Sequence, residues 1–118
     1  MRDFSSGRAF RVWGFHVSHS QLLIRSARQE EVVGSQNIDL RFTAVFYGEM
    51  SYLLWGVVIT RPSEDDLRYL QIQCGVGEDQ EHHYYCLQSG GKRYFVGAAH
   101  MRIEMNTLAP LETGFDLP

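Results

Sequence analysis

At 118 residues the chain has the length of one domain, residues 1–118, and enough material to bury a single core. Its 44% hydrophobic, 13% aromatic and 21% charged content excludes disordered, collagenous and coiled-coil classes. A formal charge of −3 sets nucleic acid aside as a partner, since phosphate backbones require a basic face.

The N-terminal residues MRDFSSGRAFR carry charges and glycine where a secretory signal needs a continuous apolar stretch, so a cytoplasmic address is expected. Between residues 10 and 17 apolar and polar side chains nearly alternate, the period of a strand. Pairing Val17 with Leu22 across Ser18-His19-Ser20-Gln21 puts Phe15 opposite Ile24 and Trp13 opposite Ser26, with the large apolar groups on one face. The other face then carries Val12, Gly14, His16, Leu23 and Arg25, a mixture suited to a partly solvated surface. In this hairpin His19 falls in the turn and His16 on the sheet, so the two imidazoles do not share an ion.

After a polar connection, NIDLRFTAVF gives the clearest alternation. Ile38, Leu40, Phe42, Ala44 and Phe46 form a core face, while Asp39, Arg41 and Thr43 form a wet one where an Asp39–Arg41 pair adds little. A YGEMS turn follows. The run SYLLWGVVIT lacks alternation, as in a strand covered on both sides; Leu53, Trp55, Val57 and Ile59 make one face and Tyr52, Leu54 and Val58 the other, leaving an apolar set in need of a cover. This run, at residues 52–59, is far short of the roughly 20 apolar residues a membrane helix needs, so no membrane partner is expected. Gly56 within it suggests a bulge, a bend or a close neighbour.

Pro62, Ser63 and the acidic residues Glu64, Asp65 and Asp66 signal a helix start, and one short helix near residues 63–69 is expected before Leu70, Ile72 and Cys74 resume strand alternation. The stretch GVGEDQEHH reads as a polar connection. Its glycines lack the lysine and hydroxyl residue of a phosphate-binding loop, and His82 and His83, adjacent in a strand, would face opposite ways. Gly90-Gly91 favours a two-residue hairpin turn that pairs Ser89 with Lys92, Leu87 with Tyr94 and Tyr85 with Val96 on one face, and Cys86 with Phe95 on the other. Beyond it the apolar parity switches between Val96 and Met101, by a bulge near Gly97 or by a crossing between sheets. Leu108, Leu111 and Phe115 are expected to dock the tail.

These elements predict an all-β, mainly antiparallel domain, a seven- to eight-stranded sandwich or partly open barrel. No GxSxG, HExxH or CxxC occurs, so no catalytic residue, cofactor or metal ligand is assigned; Cys74 and Cys86 read as two core thiols, and with His82 and His83 they form the sharpest zinc alternative. The expectation is a small non-enzymatic binding or accessory protein that meets a protein partner, or its own copy, through a sheet face. Trp55, Val57 and Ile59 on the apolar face, with His16 and Arg25 on the mixed one, are its candidate ligand- or partner-binding residues. Two alternatives stand beside it: a barrel enclosing a small apolar ligand with Trp13, Phe42, Phe46 and Trp55 as lining, and a hydrolase or metal enzyme using His16, Asp39, His82 or His83.

Overall fold

The computed structural model describes residues 4–75 and 78–115, with the backbone alone at 78–80. Its strands are β1 (Phe4–His16), β2 (Gln21–Ser26), β3 (Asn37–Glu49), β4 (Leu53–Thr60), β5 (Tyr84–Ser89) and β6 (Lys92–Asn106). Helix α1 (Glu64–Cys74) and a 3-10 segment, Glu78–His83, lie between β4 and β5, and a 3-10 turn, Ser18–Ser20, joins β1 to β2. Every pairing is antiparallel, and the order β1-β2-β3-β6-β5-β4 returns to β1 and closes a barrel. The all-β antiparallel class is thus the one the chain adopts, as a closed barrel of six strands and not seven or eight.

Two segments account for the difference. Residues 92–106, whose parity switches by a bulge or a crossing in the sequence reading, run as one strand. Residues 70–74 are the end of α1, which extends well past residue 69. Leu67 and Leu70 are three apart, a helical spacing, and pack on Tyr84, Cys86 and Phe95 on the outer side of β5 and β6, whereas Ile72 of the apparent strand is exposed. The start signal is real: the Ser63 hydroxyl accepts from the Asp66 N–H at 3.1 Å while the Asp66 carboxylate accepts from the Ser63 N–H at 2.8 Å. Gly75, at φ 66°, ends the helix and donates its N–H to the Gln71 carbonyl. Asp66 also takes a two-point ion pair from Arg93, tying the first turn of α1 to β6.

The Gly90-Gly91 turn holds β5 and β6 in the predicted register, from Ser89 opposite Lys92 to Tyr85 opposite Val96. Tyr85, Leu87 and Val96 thereby face inward, where Phe10, Ile24, Leu40, Phe42, Leu54 and Ile59 fill the interior. The first hairpin differs: Phe15 pairs with Leu22 and His16 with Gln21, and Trp13 is an extra residue between the Val12–Ile24 and Gly14–Leu23 pairs. This bulge turns Val12 toward the core, Phe15 to the same side at the open end of the barrel, and Trp13 outward, because an inserted residue reverses the alternation after it.

The alternation breaks at two further places. Gly56, at φ 76°, shifts β4 so that Leu54 and Val57 both reach the core and Trp55 stands outside. In β3, Ala44 takes φ 55°, and Phe46 is extra between the Val45–Ala98 and Tyr47–Gly97 pairs. The inner face therefore passes from Phe42 to Val45, and Ala44 and Phe46, expected in the core, are exposed.

The outer face of β2 and β3 is not wet. Asp39 is 0% and Arg41 6% exposed. Arg25 donates from Nε and Nη2 to the two oxygens of Asp39 at 2.7 and 3.0 Å, Arg41 adds a bond to Asp39 at 3.1 Å, and Asn106 adds one at 2.7 Å. Residues 107–115 cover this network: the Glu112 carbonyl accepts from Arg25 Nη2 at 3.0 Å, the Pro110 carbonyl accepts from the Trp13 indole at 2.9 Å, and Phe115 lies against His16. A low-dielectric cover makes these charge-assisted bonds strong, and their mutual pairing makes the burial tolerable. Of the expected docking residues Leu111 does not serve, being exposed; the cover is held largely by its backbone carbonyls.

Candidate functional site

The phase shifts at Trp13 and Phe46 create the main apolar opening in the barrel wall. β2 pairs with β3 only from Ile38 to Phe42, and β3 continues beyond that along β6 alone. Where the two strands part, a cleft of about 550 Å3 opens, lined by Val12 and Phe15 of β1, Leu22 of β2, Phe46 of β3, and Met50 and Tyr52 of the β3–β4 turn. Val12, Leu22 and Met50 are continuous with the core, while Phe15, Phe46 and Tyr52 are half or more exposed at the rim.

Each rim group is positioned by a backbone feature. The Val12 N–H donates to the Tyr52 carbonyl at 2.9 Å, fixing the turn against β1. Phe46 leans edge-on against Tyr84, with ring centroids 5.4 Å apart, across Gly97; a Cβ on Gly97 would sit 2.5 Å from the Phe46 ring. Tyr47 and Tyr69 of α1 donate their hydroxyls to the same Glu49 oxygen at 2.8 and 2.7 Å, which holds the end of β3 to the helix. Burial, then the bond to Glu49, pushes the Tyr47 hydroxyl far above its ordinary range, so it stays a donor at all ordinary pH.

Among the described residues no charged side chain lines the cleft, and the lining offers the tyrosine hydroxyls as its polar side-chain groups. Such a surface can hold apolar matter.

The residues singled out from sequence do not gather there. Trp55 is 73% exposed on the outside of β4, but Val57 and Ile59 are in the core, so the face expected from these three does not form. His16 lies under Phe115 and Arg25 in the buried ion pair. His19 sits in the β1–β2 turn at φ 63°. Of the expected ligand lining, Phe42 is in the core, Trp13 and Trp55 are outside and Phe46 is on the cleft, so these four share no cavity.

Asp39, offered as a possible acid or base, is saturated by Arg25, Arg41 and Asn106. His82 and His83, being in a 3-10 segment and not a strand, bring their rings to 3.9 Å, yet among the described residues no group of three His, Cys, Asp or Glu side chains could hold a metal. Val76 and Gly77 of the expected connection, and the side chains of Glu78 and Asp79, lie outside the described residues. Cys86 is buried, and burial pushes its thiol up; Cys74 is exposed and near the Tyr84 hydroxyl, a correction to two core thiols.

Comparison with protein-family models, curated proteins and solved structures finds no match to this chain. Of the cleft lining only Phe46 was among the residues expected to bind; Val12, Phe15, Leu22, Met50 and Tyr52 were missed. For Met50 and Tyr52 a signal was present, since they flank the serine of an otherwise polar turn.

Proposed function

We propose that the protein is a non-enzymatic binding module that takes apolar side chains of a protein partner into the cleft between Phe15, Phe46 and Tyr52. What carries the reading is the exposure of these three rings around an apolar floor that joins the core. Aromatic groups presented on a rigid frame are the usual energetic centres of protein interfaces. The open form of the cleft favours a protein segment over an enclosed small molecule, because the barrel interior is filled by side chains such as Phe10 and Phe42. A cytoplasmic setting accompanies this reading, supported by the two free thiols.

Selection of peptides from a displayed random library tests it. The expected outcome is an aromatic or aliphatic consensus whose affinity falls at least tenfold in Phe15→Ser and Phe46→Ser and is unchanged in Ile72→Ser, on the exposed side of α1. Peptides that bind wild type and both cleft variants equally would refute the assignment.

A further inference from the structure

A second recess, of about 150 Å3, lies beside the C-terminal cover, with Trp13, Arg25, Arg28, Glu30, Asn37 and Leu108 on its wall. Its chemistry is the opposite of the apolar cleft. Arg25 is 1% exposed; Nε and Nη2 are engaged by Asp39 and Glu112, and Nη1 is the single buried side-chain nitrogen or oxygen among the described residues without a partner. A buried guanidinium N–H without an acceptor forgoes a charge-assisted bond, and native interiors rarely leave one so.

Arg28 brings a second guanidinium. Its Nε reaches the Leu108 carbonyl at 3.5 Å, and among the described residues its charge is met by Glu30 alone, 3.9 Å away and itself 65% exposed. The Asn37 side chain is occupied, donating to Asn106 and Leu108 and accepting from the Arg28 N–H, so it does not satisfy either arginine. The Trp13 ring lies 5.4 Å from the Arg25 guanidinium carbon, and Leu108 supplies an apolar wall.

We propose that this recess binds a small free carboxylate, its oxygens taken by Arg25 and Arg28 and its hydrocarbon end by Trp13 and Leu108. Two guanidiniums on one wall favour a carboxylate over a neutral acceptor. The volume corresponds to about five waters at roughly 30 Å3 each, which suits an acid of about two to four carbons. Glu30 is the internal competitor, holding Arg28 until the ligand replaces it.

The test is an NMR titration of the isotope-labelled full chain with sodium propionate, against sodium chloride at equal ionic strength and the neutral isostere propionamide. Propionate is expected to shift the Trp13 indole and Arg25 Nε–H resonances saturably, with a Kd on the order of 1 mM for so small a ligand. Arg28→Gln is expected to weaken binding about tenfold and Glu30→Gln to tighten it, with unchanged spectra away from the recess confirming that both variants fold. A linear response, an equal response to chloride or propionamide, or identical affinity in wild type and Arg28→Gln overturns the proposal and leaves a solvent-filled recess.

Discussion

Arg25 and Asp39, on neighbouring strands, form a two-point ion pair with bonds of 2.7 and 3.0 Å on the outside of the barrel, sealed there by the chain's own C-terminal segment. Breaking such a pair from one side strands charge in a dry place. Asp39→Ala, which leaves Arg25 and Arg41 facing each other, is expected to cost about 3–5 kcal/mol by denaturant unfolding. Arg25→Met combined with Asp39→Leu should recover most of that loss. A double variant no more stable than Asp39→Ala would show that the pair itself, and not the stranded charge, supplies the stability.

On β4 the Gly56 shift separates residues that strict alternation would group. Ile59→Ala is expected to cost about 2–5 kcal/mol, as for a buried aliphatic side chain, and Trp55→Ala to stay within about 0.5 kcal/mol. Equal losses, measured by thermal or denaturant melts, would contradict the phase shift.

Gly97 and Phe46 should be energetically coupled. A methyl group at position 97 meets the Phe46 ring, whose exposed edge can swing aside, so Gly97→Ala is expected to cost about 1 kcal/mol and to displace Phe46 from the cleft. Adding Phe46→Ala should relieve the clash, giving a double-mutant interaction of at least about 0.5 kcal/mol. Strict additivity would mean that the two side chains do not meet.

The first turn of α1 predicts an acid response. Burial alone would raise the Asp66 carboxyl, but bonds from Arg93 and Ser63 and the Arg93 charge outweigh it and hold the group below the usual carboxylate range. A lowered folded-state value contributes stability that is present above the unfolded value and lost as pH falls through the folded one. Wild type should therefore lose stability below about pH 4, while Asp66→Asn, less stable at neutral pH, should show a shallower slope there. Ser63→Ala should cost about 1 kcal/mol at neutral pH. Parallel slopes for wild type and Asp66→Asn would place the acid sensitivity elsewhere.

The legible parts of the fold were those fixed by a local backbone requirement. Gly90-Gly91 permits few turns, so the β5–β6 register follows; Ser63 and the acids after it satisfy free N–H groups, so the helix start follows. Alternation failed where an extra residue reversed it, at Trp13 and Phe46, and where Gly56 turns left-handed opposite the longer β1 segment Ser6–Ala9, since only the pairing with a distant strand reveals the irregularity. It also failed at Asp39 and Arg41. Their alternation with Leu40 is that of a solvated face, and the cover comes from residues some 70 positions later. Leu70, Ile72 and Cys74 fit the strand period and Leu67 and Leu70 the helical one, and the packing of Leu70 on Phe95 decides for the helix. The candidate cleft was hidden for the same reason as the bulges that open it.

Because β1 joins both β2 and β4, and β3 lies along β6, the ring is completed by contacts between segments far apart in the chain. The chain must lose most of its freedom before these seams reward it, so refolding belongs to the slow regime of such topologies, about milliseconds to seconds. The β5–β6 hairpin, whose strands are joined by two glycines, and the β1–β2 hairpin, joined by the Ser18–Ser20 turn, are the seams that can close early, and the lock between first and fourth strands is the step that commits the molecule.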